Sequence, residues 1–239
     1  MDYRKNAMFF EHKRVKKWTY VSYVGYGFIA LAVILFILNG AGMGGGGMWA
    51  LSAALPFAAV GVAILLTALS MMTSEKQLKE EIANLQKEAE ENALAAFDHP
   101  DRNPDLFFQF EGYKMTDDSL IIRKLRNGRV FTTVYGITYM MIEKNNLHIY
   151  QKRTSLVDEG VEILSKTFPL ASLSGAKIIN ETVKRTCNDG EEHEVKVVAV
   201  QVFDNDGNAV CTANCKIYDY DIERFAETLD HNLKRVKMG

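Results

Sequence analysis

Charge is absent from one long stretch of this sequence: the 57 residues between Lys17 and Glu75 contain no Asp, Glu, Lys or Arg. Elsewhere the chain is ordinary, 239 residues with 24% charged and a net charge of −2, close to the quarter typical of globular proteins. A gap of that length excludes a conventional soluble protein, and the balanced charge argues against nucleic acid as a partner. Cysteine is scarce as well. Cys187, Cys211 and Cys215 all follow the gap, which fits a reducing compartment without disulfides. Ionisable groups are missing from the apolar stretch itself, which argues against a self-contained pump or carrier built on two spans.

Catalytic signatures are missing too. His12, His99, His148, His193 and His231 show neither H-E-x-x-H nor H-x-x-x-H spacing. Ser155, Ser172 and Ser174 lie outside any G-x-S-x-G, and Gly40–Gly47 lacks the G-K-[ST] ending of a phosphate loop. Cys211 and Cys215 form a single pair on an expected strand, whereas a structural zinc site uses two pairs, so they read as core thiols. The sequence predicts no enzyme, no cofactor and no metal.

What the gap contains is two apolar runs, from about Trp18 to Leu38 and from about Trp49 to Met72, each near the 20 or so residues that cross a bilayer as helix. A glycine-rich loop over 39–48 separates them, and Trp18, Tyr20, Tyr23 and Trp49 suit interfacial anchors. A signal peptide is disfavoured because the first run exceeds a usual h-region and a second follows at once. Residues 1–17 carry six basic and two acidic side chains while the loop has none. By the positive-inside rule the reading is a multi-pass protein of the cell (inner) membrane with both termini cytoplasmic. Met8, Phe9 and Phe10 among the N-terminal basic residues suit either a topology signal alone or a helix lying on the inner leaflet. Ala50, Ala54 and Ala58 recur every four residues, a helix-packing stripe that serves either the hairpin itself or a homo-oligomer. Pro56 marks a kink or an early turn.

Residues 73–97 are rich in helix formers and read as a helical stalk. Leu78, Ile82, Leu85 and Ala89 follow the 4-3-4 spacing of a short coiled coil, and the same stripe suits packing on the next domain. The helix either continues the second span or starts afresh at Ser74, with Gln77 completing a capping box. Residues 98–105 hold two prolines and read as a linker.

From residue 106 the chain turns to short β-rich runs closed by one amphipathic helix. Strands are expected over Arg129–Glu143, Leu147–Arg153, Glu162–Leu170, Ala176–Arg185, Glu194–Phe203 and Ala209–Tyr218. Leu106–Tyr113 is an extra aromatic segment, Asp117–Leu125 reads as a short helix, and a last helix runs to about Val236. The fold class expected is a membrane α-helical hairpin plus an α+β domain with an antiparallel barrel or sandwich.

Strands in series before one C-terminal helix, with the step Phe168-Pro169-Leu170-Ala171-Ser172-Leu173-Ser174-Gly175, resemble a pleckstrin-homology-like (PH-like) domain. Bacterial membrane proteins with a two-span hairpin and such a domain are similar in layout. The resemblance implies scaffolding or binding at a membrane rather than catalysis. Lipid-reading members carry Lys and Arg around a longer first hairpin loop, which here is assigned to Lys144-Asn145-Asn146. The densest basic cluster is instead Arg123, Lys124, Arg126 and Arg129, a candidate patch for lipid phosphates or an acidic partner. Against a lipid role, residues 98–239 carry 19 basic and 22 acidic side chains. The expected function is display of the domain for protein–protein interaction, with the bilayer as anchor. The alternative is an oligomeric, channel-like assembly of hairpin and stalk.

Overall fold

Hydropathy sets the first structural unit and strand alternation the second. The computed structural model describes residues 1–40, 48–71, 74–97, 106–115, 117, 120–125, 127–217, 219 and 221–238, in two units, Asp2–Gln77 and Leu78–Gly239. The glycine loop over 41–47 and the linker over 98–105 lie outside the described residues.

The first unit is helical: α1 (Tyr3–Phe10), α2 (His12–Gly40) and α3 (Met48–Met71). Asp2 caps α1 by accepting the Lys5 amide at 3.1 Å. Met8, Phe9 and Phe10 are buried. The two long helices are long and apolar enough to cross a membrane, and Ile34, Phe36, Leu55 and Leu66 point their apolar surface outward. Pro56 sits inside α3 and marks no turn.

α2 and α3 run antiparallel, as the stacking of Phe28 on Phe57 at 5.9 Å and the apposition of Gly25 with Gly61 show. A Cβ on Gly61 would stand 2.9 Å from the Gly25 carbonyl oxygen and 2.8 Å from Ile29 Cγ1. Gly25 and Ala32 on one helix, and Ala54, Gly61 and Ala68 on the other, are buried at seven-residue spacing. Small residues at that period let two backbones approach closely. Ala54 of the alanine stripe thus lies on this seam, Ala58 is half-buried, and the Ala50 side chain is outside what is described.

α4 (Glu75–Phe97) begins anew. The Gln77 amide donates to Ser74 Oγ at 3.1 Å and the Ser74 amide to Gln77 Oε1 at 3.0 Å, a complete capping box. Leu78, Ile82, Ala89, Ala93 and Phe97 are buried on one face. The stripe that suits a coiled coil is therefore used within the chain, against the domain.

Among the described residues that domain has nine strands: β1 (Phe107–Tyr113), β2 (Ile122–Lys124), β3 (Val130–Thr132), β4 (Val134–Glu143), β5 (Asn146–Ser155), β6 (Val161–Pro169), β7 (Leu173–Thr186), β8 (Glu192–Asp204) and β9 (Ala209–Asn214), with α5 (Asp221–Met238) last. Three antiparallel sheets result, ordered β1-β4-β5-β6, β2-β3 and β7-β8-β9. Alternation sends Phe108, Phe110, Met140, Ile149 and Leu164 to one face, where they share a core with Val198, Val200 and Val202 of the three-stranded sheet. Phe225 of α5 closes this core, meeting Phe108 and Phe110 edge-on at 5.1 and 5.5 Å. No closed barrel forms among the described residues.

The opposite face of the four-stranded sheet carries α4. Lys152 Nζ meets Glu88 Oε1 at 2.7 Å, Tyr139 Oη donates to the Gln86 carbonyl at 3.4 Å, and Phe97 lies 5.9 Å from the His148 ring. At the other end the paired Gly112 and Gly136 bring the two large sheets together. A Cβ on Gly112 would meet the Cys215 carbonyl oxygen at 2.9 Å, and one on Gly136 would meet Asn214 Nδ2 at 3.0 Å.

Two expectations are corrected. The stretch over 117–125 holds strand β2, not a helix, because Leu125 and Arg129 close a tight turn: the Leu125 amide donates to the Arg129 carbonyl at 2.8 Å, and Gly128 takes φ +82. The run Arg129–Glu143 is two strands, since β3 pairs with β2 and β4 pairs with β1 and β5. The aromatic segment Leu106–Tyr113 supplies β1, a full strand of the main sheet.

Candidate functional site

The basic cluster sits on the β2–β3 hairpin, inserted in the connection between β1 and β4. Arg123 pairs with Phe131 and Lys124 with Val130, while Arg129 follows the glycine turn and Arg126 lies outside the described residues. The turn between β7 and β8 holds this hairpin, since the Asn188 amide donates to the Ile122 carbonyl at 2.7 Å. Lys124 Nζ is 3.4 Å from His193 Nδ1, and His193 Nε2 is 3.0 Å from Asp189 Oδ2. The backbone amide of Glu191, and then His193, hold the Asp189 carboxyl below its usual pKa. Burial lowers the pKa of Arg123. Of the described members, Lys124 is turned to the β7–β8 turn, while Arg129 lines a groove.

Arg129 lines a groove of about 840 Å³ within the domain, a size in the range of ligand pockets. Ile82 of α4, Val130 and Phe131 of β3, and Ile217 beyond β9 give it apolar walls. Among the described residues its lining cations are Lys79, Arg129, Lys196 and Lys216, and none of these lining residues is a carboxylate. Behind the wall Glu111 pairs with Lys216 and accepts the Tyr135 hydroxyl proton at 2.6 Å. Burial first, and the Glu111 charge second, push the Tyr135 phenol up beyond ordinary titration. Burial also raises the Asp219 carboxyl, against the lowering effect of the hydrogen bond from the Asp221 amide. The described lining is thus cationic and partly apolar, with one of its cations, Lys216, already paired with Glu111.

Burial pushes the Cys211 and Cys215 thiols up to about 12 and raises Cys187 as well, so all three are poor nucleophiles. Asp189, Glu191 and His193 bring their ligand atoms within 4.8 Å of one another. Both His193 nitrogens already face partners, however, and a lysine ammonium approaches one of them. Sequence spacing pointed to one groove cation, Arg129. Lys79, Lys196 and Lys216 arrive from α4, β8 and the chain after β9, and no local pattern links them.

Comparison with known proteins finds no matching family model, no matching curated relative and no matching solved structure.

Proposed function

We propose that this chain is a membrane-anchored, non-catalytic binding module whose PH-like domain takes an acidic, partly apolar segment of a partner protein into its groove. Two outward-facing apolar helices supply the anchor, and the basic flank before α2 favours cytoplasmic termini. The strand order supports the PH-like reading: a four-stranded meander, β1-β4-β5-β6, precedes a three-stranded one and a terminal helix. On that alignment the first connection of the meander is residues 114–133, with its basic hairpin, rather than Lys144-Asn145-Asn146.

The carrying observation is the groove, with its apolar walls and a lining that, among the described residues, holds four cations and no carboxylate. Such complementarity steers partners and sets specificity more than raw affinity. A photo-crosslinking residue in place of Val130, in native membranes, tests it. A discrete protein adduct that disappears with Arg129→Glu and Lys196→Glu supports the reading. No adduct, or one indifferent to charge reversal, refutes it, and an adduct with lipid transfers the groove to headgroup binding.

A further inference from the structure

β6 is the last strand of the four-stranded sheet, and its outer side pairs with no strand among the described residues. The direction of its backbone groups follows from two backbone hydrogen bonds that flank it. The Ser155 amide donates to the Gly160 carbonyl and the Leu170 amide to the Asn145 carbonyl, both at 2.7 Å. The register between these pairs is unbroken. Antiparallel ladders alternate bonded and non-bonded pairs, so the even residues 162, 164, 166 and 168 bond inward to β5. Val161, Ile163, Ser165 and Thr167 therefore point their N–H and C=O groups outward. Pro169, which has no N–H to offer, ends the row where an edge tolerates it.

This edge carries Glu162, Lys166 and Pro169, residue types that blunt exposed strands, beside exposed apolar side chains. Val161 and Ile163 are 46% and 59% exposed, β-branched side chains on the open flank of an unpaired strand. Its charges are complementary under a two-fold axis. When β6 is laid antiparallel to a second β6 with Leu164 opposite Leu164, Val161 faces Thr167 and Ile163 faces Ser165 as bonded pairs. Every outward N–H and C=O from Val161 to Thr167 then finds a partner. In the same register Glu162 falls opposite Lys166 twice, in the non-bonded positions where side chains come closest. A shift of the two-fold by one residue either way separates those charges and leaves outward groups unmatched. Lys166 has no ion-pair partner among the described residues, and Glu162 has only a long contact to Arg153 at 3.7 Å.

We propose that β6 is a self-complementary edge through which two copies of this chain join their four-stranded sheets. The occupant is a second copy of this chain, as an isologous two-fold interface requires the same strand on both sides. The interface is separate from the groove and stands whether or not the groove binds a partner.

The test uses the full-length protein in mild detergent, with mass measured by sedimentation over a range of concentrations. A dimer is expected. Lys166→Glu and Glu162→Lys should each weaken it about tenfold or more, and the double variant E162K/K166E should restore it. Ser165→Pro removes an outward N–H without touching the β5 ladder, so it should give a folded monomer. Leu164→Cys should form an intermolecular disulfide, because residues at a non-bonded two-fold pair lie within disulfide reach. A wild-type monomer throughout overturns the proposal. So does a dimer that neither crosslinks through Leu164→Cys nor responds to the charge reversals, even if Ser165→Pro fails to fold.

Discussion

Lys152 offers the sharpest test of how α4 is held on the domain. Its side chain is only 6% exposed, yet its ammonium meets Glu88, which is 58% exposed, at 2.7 Å. The two partners therefore stand in different solvents. Deleting Glu88 leaves a charge whose stem is buried under a helix, while deleting the Lys152 charge returns a carboxylate to water that already reaches it. Exposed pairs contribute about 0–1 kcal/mol, and breaking a fully buried pair costs about 3–5 kcal/mol. This half-buried pair belongs between them. Glu88→Ala should destabilise by about 1.5–2.5 kcal/mol, and Lys152→Met, which keeps the apolar stem, by about 0.5 kcal/mol. The double variant should resemble Lys152→Met alone, giving a coupling of about 1.5–2.5 kcal/mol.

Amide hydrogen exchange of the full-length protein in detergent is the suitable assay, because it reads the opening of α4 separately from the hairpin. Protection in α4 should fall by about tenfold or more in Glu88→Ala and recover in the double variant, since about 1.4 kcal/mol corresponds to a factor of ten. If Lys152→Met loosens α4 more than Glu88→Ala, the asymmetry argued from exposure is wrong. Equal protection in all variants would mean that the apolar stripe from Leu78 to Phe97 fixes the helix unaided.

Three further outcomes are expected. Gly112→Ala should destabilise the domain by about 1–3 kcal/mol in denaturant unfolding, because its Cβ meets the Cys215 backbone carbonyl at 2.9 Å. Gly136→Ala should cost less, because it meets a side-chain amide; equal effects would refute the close-approach argument. Gly61→Leu should open the α2–α3 pair, read as lost crosslinking between cysteines placed at Phe28 and Phe57, while Val62→Leu, on the exposed side, should not. For Asp219 the folded pKa is raised by burial, so the folded state binds its proton more tightly and stability falls as pH rises from the unfolded value through the folded one. Asp219→Asn keeps an acceptor for the Asp221 amide, 3.1 Å away, and drops the charge. It should therefore raise the melting temperature at pH 7 and lose that advantage near pH 3.

Much of the architecture was legible because it rests on local signals. The uncharged gap marks two apolar helices, the Ser74–Gln77 box starts α4 as its spacing implies, and the period of Ile222, Phe225, Leu229 and Leu233 places the inner face of α5. The hairpin seam was half legible. A four-residue alanine period drew attention to Ala50, Ala54 and Ala58, whereas the buried line follows seven, through Ala54, Gly61 and Ala68. The four-residue stripe describes one helix surface, while the seven-residue line reflects how a second helix crosses it.

Long-range pairing was not legible, and the candidate site depends on it. Phe107–Tyr113 has no sequence mark saying that it is the first strand of the meander. Its place is fixed by pairing with β4 across more than twenty residues, and by Gly112 and Gly136 standing opposite one another where β9 comes close. Once that pairing is made, the segment between β1 and β4 is an inserted connection, and Ile122–Lys124, part of the stretch over 117–125 that looks helical in isolation, becomes one strand of a hairpin. The basic cluster is then divided by its neighbours: the β7–β8 turn takes Lys124, and Arg129 joins three lysines brought from other elements. A cluster dense in sequence is thus dispersed in space, and the cations that do converge are far apart in the chain. For a domain of antiparallel sheets, charge density along the sequence locates hairpins, and only strand pairing locates a binding surface.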